Sequence, residues 1–411
     1  MTCDNDNEIG SCFESAVKAL ARARRFDAPV YVTRPNLPTL EAYMRAVAPA
    51  WERRWLTNDG ALHAQLEAAL AMRFDVLCFR LFCNGTVALL AALQALGLED
   101  GEVITTPFTF PATVNALHWR RLRPVFCDID PKTCNLDPAG IAALITPDTR
   151  AILPVHVFGT PCDVDAIQAV ADAHGLPVIY DAAHAFDVEY KGKSILQYGT
   201  MSMLSFHATK LFTTAEGGAL AAPNTVIASE AKQSPPDLNE RLRLLKNFGI
   251  ADENTVIAPG VNGKMSELHA ALGLTQLESV ADEIANRRRI AMRYNERLAD
   301  LPGLTTPVFD TEDVKHNYAY YPLRVNGEIY GMDRDALHAQ LKLFNIYARR
   351  YFHPLCSTFA WCRVEPGCLP VAEAAARETL CLPLYGALSP ESAATICDVI
   401  TQLGTLARET A

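Results

Sequence analysis

A chain of 411 residues with a formal net charge of -10 is too long for one small core and too acidic to offer the basic face that nucleic acid requires. Half of its residues are hydrophobic and a fifth are charged, a globular composition, and no run approaches the roughly 20 apolar residues of a membrane span. The twelve cysteines contain no C-x-x-C pair, and no apolar leader opens the chain, so they read as reduced thiols of a cytoplasmic protein.

In chain order, residues 1–28 read as an appendage: 14–25 suits a short basic helix, yet nothing nearby supplies a core for it. An N-terminal arm over 29–60 follows, with a helix predicted over 40–55 and a turn at Leu56-Thr57-Asn58-Asp59-Gly60. The large unit is expected to span 61–264, opening with a helix over 62–72. Within it, apolar runs at 103–106, 125–128, 151–155, 178–181, 203–206 and 219–222 alternate with helices at 86–96, 138–144 and 164–174. Runs that are apolar throughout, rather than at every second residue, belong to strands covered on both faces. Their alternation with helices predicts an α/β unit with a mixed, mostly parallel sheet and binding loops at the strand ends. The polar, proline-closed segment 228–236, inside 224–238, reads as an exposed insertion. Residues 265–298 read as one long amphipathic helix with Arg287-Arg288-Arg289 on its solvated face. It leads into a smaller C-terminal α/β domain ending at 411, with a strand over 318–325 and a helix over 333–344.

Phosphate motifs mostly fail. Gly192-Lys193-Ser194 ends like a Walker loop, but Asp187 stands where its first glycine is required. Neither G-x-G-x-x-G nor H-E-x-x-H occurs. A different pair is more informative: Asp181 ends one predicted strand and Lys210 follows the next. A lysine amine and a carboxylate at neighbouring strand ends suit pyridoxal phosphate, the amine forming a Schiff base and the carboxylate keeping the pyridine nitrogen protonated. Asn84-Gly85-Thr86 precedes an apolar helix, whose N-terminal N–H groups and the Thr86 hydroxyl can receive a phosphate, with Ser205 as a second hydroxyl. Singly, each residue has a plainer reading: a strand-end Asp caps a turn, a Lys sits in solvent, an Asn-Gly pair turns the chain. Their order, each at a strand–helix junction, favours the cofactor.

At these residues the chain resembles the DegT/DnrJ/EryC1/StrS sugar aminotransferases, fold-type I enzymes of the aspartate aminotransferase architecture. The likeness runs from about Val32 to the C-terminus, through Asn84-Gly85-Thr86, Thr106-Pro107-Phe108-Thr109-Phe110, Asp128-Ile129-Asp130, Asp181-Ala182-Ala183-His184, Ser205-Phe206-His207, Glu216-Gly217-Gly218 and the segment from Gly260 to Glu267. It implies that Lys210 carries pyridoxal 5'-phosphate and that Asp181 pairs with the ring nitrogen. It further implies that Phe110 stacks on the ring, that His184 lies near the phenolic oxygen, and that Gly85, Thr86 and Ser205 hold the phosphate. Asn262 matches a residue reaching the neighbouring subunit's phosphate, which implies a homodimer with shared sites. Thr33-Arg34-Pro35, Trp55-Leu56-Thr57-Asn58 and Lys315-His316-Asn317-Tyr318 resemble the subgroup that makes 4-amino-4,6-dideoxy-glucose on thymidine diphosphate, for surface or secondary-metabolite sugars. That subgroup implies dTDP-4-dehydro-6-deoxy-glucose as substrate, L-glutamate as donor, and Asn58, Lys264 and His316 at the substrate. Another keto position or nucleotide carrier, a sugar dehydratase and a non-catalytic homologue remain as alternatives. Four features depart from the pattern: Asn84 replaces a common Ser, Asp187 occupies a position usually small, and neither the 228–236 insertion nor the N-terminal appendage has a counterpart.

Overall fold

In a computed structural model that describes residues 5–224, 226 and 237–410, the apolar runs become the central sheet of the larger unit. The expected insertion at 228–236 lies outside the described residues. Helices α1 (Asn5–Arg24), α2 (Leu40–Arg53) and α3 (Ala61–Phe74) come first. The strands are β1 (Cys78–Phe82), β2 (Gly101–Thr105), β3 (Leu122–Phe126), β4 (Thr149–Leu153), β5 (Ile179–Asp181), β6 (Met201–Ser205) and β7 (Gly218–Ala222). Hydrogen bonds order them β1-β7-β6-β5 and β3-β2-β4. Parallel bridges at Ile152–Val178 and Val155–Asp181 join the two groups into one array. Only β7 runs against its neighbours; the other pairs are parallel.

Alternate strand residues feed two cores. Leu81, Ile104, Ile152, Tyr180 and Leu204 enter one, while Phe82, Val103, Leu153, Ile179 and Met203 enter the other. Both faces are therefore dry, which is why these segments are apolar throughout. β1 was not predicted because Arg80 interrupts its apolar run; Glu67 of α3 pairs with that guanidinium and makes it tolerable inside a strand.

Helices α4 (Gly85–Ala95), α5 (Pro111–Trp119), α6 (Pro138–Leu144) and α7 (Val164–His174) connect the strands, the last two with the predicted bounds. Their start signals are local. Asn84 Oδ1 accepts the Val87 N–H at 2.8 Å, Asp163 Oδ1 accepts that of Ala166 at 3.0 Å, and Pro138 follows the cap Asp137. α7 stops at Gly175, whose φ of 64° is left-handed. The Walker-like Gly192 sits in the tight turn between Glu189–Tyr190 and Lys193–Ser194, where φ is 49° at Lys191 and 73° at Gly192.

The rest of the chain gives α8 (Leu238–Lys246), α9 (Glu267–Leu277), α10 (Val280–Leu298), β8 (Leu304–Thr305), β9 (Tyr321–Val325), α11 (Arg334–Leu343), α12 (Pro370–Glu378), β10 (Thr379–Leu382) and α13 (Pro390–Glu409). β8, β9 and β10 form an antiparallel sheet backed by α10 and α13.

Three expectations are corrected here. The single helix over 265–298 is two, broken at Ser279, whose hydroxyl bonds back to the Gln276 carbonyl. Its first half belongs with the larger unit, since Met265, Ala270 and Ala271 enter the core beside Leu66 and Leu70. Arg287 is not solvated: it is 1% exposed, bonded to Glu283 at 2.6 Å and to the Ala319 carbonyl at 3.0 Å. Nor does the N-terminal helix lack a core. Val17 is buried, and Phe13, Leu20 and Ala21 pack with it against the smaller domain. Among the described residues no helix is long and apolar enough to cross a membrane, and the ten cysteines from Cys78 to Cys397 are free thiols.

Candidate active site

The parallel strands release their following loops on one side, and there a cavity of about 570 Å³ opens between the larger unit and residues of the smaller one. Asp181 closes β5 and reaches its wall. The carboxylate is buried, with Oδ1 accepting the Ala183 N–H at 3.0 Å and Oδ2 accepting the Thr113 hydroxyl at 2.8 Å. Burial pushes its pKa up, and those two donors together with the Lys210 charge pull it back.

Lys210 follows β6 and faces the same cavity, keeping part of its side chain open to it. Burial of the amine lowers its pKa to about 8; Asp181 opposes that shift and Arg349 adds to it. An amine that sheds its proton near neutrality is a competent nucleophile and proton carrier. His184 stacks near Phe352 and Tyr320, at ring distances of 5.9 and 4.6 Å, and its Nδ1 accepts the Phe158 N–H at 3.2 Å. Burial, then the Lys210 charge, holds this imidazole far below its usual pKa. It is neutral, with its hydrogen on Nε2.

The helix start after β1 forms another part of the wall. Asn84 spends its side-chain carbonyl on capping α4, so a serine hydroxyl is replaced by a helix cap. Gly85 and Thr86 remain at the cavity with Ser205. The backbones here are too close for side chains: a Cβ on Gly85 would lie 3.1 Å from Met203 Sδ and Ser205 Cβ, and one on Gly218 only 2.5 Å from Gly85 N. Phe110, the N-cap of α5, is half exposed and also lines the cavity.

Seven predicted residues thus meet: Gly85, Thr86, Phe110, Asp181, His184, Ser205 and Lys210. Four do not line this cavity. Asn58 and Asn262 lie exposed on the surface, and Lys264 donates to Asn247 Oδ1 at 2.9 Å beneath the Phe248 ring. His316 is a correction: it is 3% exposed, packs on Phe309, and its Nδ1 accepts the Tyr318 N–H at 2.8 Å. Burial lowers its pKa to about 4, so it is a core histidine rather than a substrate contact. Asp187 turns away into a bidentate pair with Arg73. The sequence reading missed Thr113, which sits one helical turn past Phe110, and the smaller domain's Tyr320, Arg349 and Tyr351. Thr113 and Tyr320 lay beside recognised motifs, whereas Arg349 and Tyr351 did not.

A family model for the DegT/DnrJ/EryC1/StrS aminotransferases matches residues 40–401. The chain belongs to that family. It is an aminotransferase by descent, and its fold is that of fold-type I enzymes. A dTDP-4-amino-4,6-dideoxy-D-glucose transaminase of Shigella dysenteriae is 42% identical over 377 residues, covering 91% of this chain and 99% of that protein. The Escherichia coli protein of that name is 43% identical over 375 residues, 89% of this chain and 96% of its own. Among solved structures, DesI with its TDP-sugar product superposes with a TM-score of 0.87 at 36% identity, covering 94% of this chain and 95% of DesI.

Proposed function

We propose that this family member is a cytoplasmic, pyridoxal-phosphate-dependent aminotransferase that converts the 4-keto group of dTDP-4-dehydro-6-deoxy-glucose to an amine, with L-glutamate as donor. The observation that carries the reading is the meeting of Lys210, Asp181 and the Gly85-Thr86 helix start in one cavity. These residues fit the cofactor: the glycines leave room that a Cβ would fill, the α4 N-terminus offers backbone N–H groups to a phosphate, and a buried carboxylate faces the amine's cavity. The names of the two curated relatives and of the DesI complex support the choice of sugar.

When bound, the cofactor supplies an electron sink for breaking a C–H bond beside nitrogen. The chain supplies the rest. Asp181, fixed by Thr113 and Ala183, holds negative charge where the ring nitrogen would be protonated. Lys210 Nζ would hold the cofactor and, when free as an amine, would be the base that takes the donor's α-proton and gives it back across the nitrogen. Neutral His184 offers Nε2–H as a fixed donor, and Phe110 gives an apolar face for stacking. Gly85, Thr86 and Ser205 would hold the phosphate.

Asn58 and Asn262 lie outside their own chain's cavity, in segments that expose Trp55 and Leu56, and Phe248, Ile257 and Val261, respectively. Such apolar surface supports a homodimer in which they serve the neighbouring site. The decisive experiment incubates the enzyme with glutamate and dTDP-4-dehydro-6-deoxy-glucose and follows the sugar by mass spectrometry. Conversion of ketone to amine is expected; turnover of the 3-keto isomer instead would overturn the substrate.

A further inference from the structure

Where the smaller unit meets the end of β5, one side chain joins the two walls of the cavity without lining it. Asn317 is fully buried. Its Nδ2 donates to the His184 carbonyl at 2.8 Å and to the Phe186 carbonyl at 2.7 Å, while Oδ1 accepts the Ala319 N–H at 3.0 Å. Two carbonyls can only accept and an N–H can only donate, so the amide has one orientation and every hydrogen is used. The turn it grips lies past the end of the strand ladder. The Ala182 N–H still bonds to the Met203 carbonyl at 2.8 Å, then the chain turns through the Ala185 N–H and the Ala182 carbonyl at 2.9 Å. There is no slack around the contact. Gly159 has a φ of 95°, and a Cβ there would lie 2.6 Å from Asn317 Oδ1 and 3.0 Å from the His184 carbonyl oxygen. Asn317 is itself held on both sides. His316 Nδ1 accepts the Tyr318 N–H at 2.8 Å, Tyr318 takes a left-handed φ of 53°, and its hydroxyl bonds to Asp310. Buried Arg287 of α10 donates to the Ala319 carbonyl at 3.0 Å. The next residue, Tyr320, turns its ring to the cavity, 4.6 Å from the His184 ring.

We propose that Asn317 is a positioning residue that sets the His184 imidazole against the cofactor ring and registers it with Tyr320. The inference rests on the cofactor reading of the cavity and extends it to a residue outside that cavity. Nδ1 of His184 is spent on the Phe158 N–H, so Nε2–H is the donor it can offer, and its aim depends on where the backbone of the turn is held. Without the amide, the His184 and Phe186 carbonyls lose these donors in a dry setting, and the turn must shift to find others. A displacement of about an ångström at a reacting group can cost on the order of 100-fold in rate. An aspartate here would set a carboxylate oxygen against two carbonyl oxygens, so the position calls for an amide.

The test is a double-mutant cycle in cofactor-loaded protein: wild type, N317A, H184A and the double variant. N317A should lower kcat about 10- to 100-fold, with KM for glutamate and for keto-sugar nucleotide within about threefold of wild type. It should also move the pH midpoint of the visible absorbance in the direction that H184A moves it, a readout that stands whatever sugar the enzyme takes. In the H184A background the same substitution should change kcat less than about twofold, because the group it aims is gone. The fall in melting temperature of the apoprotein should persist there, which separates positioning from stability. N317S, which keeps one donor, should lie between N317A and wild type. A kcat loss equally large with and without His184 overturns the inference, and so does a pH midpoint that responds to H184A but not to N317A. Loss of the fold in both N317A and N317S also overturns it, making Asn317 a structural residue. A wild type that takes up no pyridoxal phosphate sinks the cofactor reading itself, whereas a normal wild type with an unaltered N317A sinks only the positioning role.

Discussion

The two sides of the cavity are built on different principles. On the larger unit, the β5 ladder ends on Asp181, a turn after β6 holds Lys210 through its N–H to the His207 carbonyl at 2.9 Å, and the start of α4 places Gly85 and Thr86. On the smaller unit, Tyr320, Arg349 and Tyr351 are placed by ring contacts and by the isolated bridge of Arg349 to Cys381 of β10. The first side is suited to chemistry, in which an error of an ångström is costly; the second is suited to recognition, in which a ring or fork can adapt. Substitutions on the two sides should therefore fail in different ways.

The largest effect should come from Lys210→Ala. Removing the anchor and proton carrier should cost at least the 10²- to 10⁴-fold typical of one acid–base group, and should abolish the absorbance that borohydride fixes in the wild type. Retained turnover above one part in a hundred would break the distinction at its strongest point. Gly218→Val should come next. Its Cβ would fall 2.5 Å from both Asn84 C and Gly85 N, backbone atoms that can yield only by moving the α4 start. Loss of cofactor on dialysis is expected, with a lower melting temperature reflecting roughly 1–3 kcal/mol of overpacking. Normal cofactor retention would show that the helix start is not the cradle.

The pH dependence of cofactor capture is a milder probe of the same side. With a folded pKa of about 8 instead of the ordinary 10.5, Lys210 is increasingly neutral as pH rises through 8. Capture of pyridoxal phosphate by the apoprotein should thus accelerate about tenfold per pH unit below 8 and level off above it. A rate still climbing at pH 10 would identify an ordinary solvated lysine.

How legible each side was follows from the same contrast. Lys210, Asp181 and Gly85-Thr86 could be found because strand ends and helix starts leave local marks: an apolar run, then a polar residue of the right chemistry. Arg349 leaves no such mark, since its environment is assembled from Cys381 in β10 and from Tyr320, distant in sequence. Thr113 was hidden because a threonine in the first turn of a helix has many plain reasons to be there. His316 failed in the opposite direction. It stood in a motif, but a motif says nothing about which way a side chain turns, and packing on Phe309 took it inward. Arg287 was misread because three consecutive arginines cannot all face one side of a helix, and the sequence alone does not say which one is buried with Glu283.

The smallest predicted effect is the most discriminating for the recognition side. Tyr351→Leu keeps apolar bulk but removes the ring on which Arg349 rests, a cation–π contact worth about 0.5–1 kcal/mol where solvent has access. Arg349 itself remains, still bridged to Cys381, so its charge is not lost but only its orientation. The glutamate concentration for half-maximal turnover should rise about two- to fivefold, with the limiting rate and the pH profile unchanged, since Lys210 and Asp181 are untouched. A fall in the limiting rate instead would mean that the Tyr320–Tyr351 pair positions Lys210, and the smaller unit would then share in the chemistry as well as in recognition.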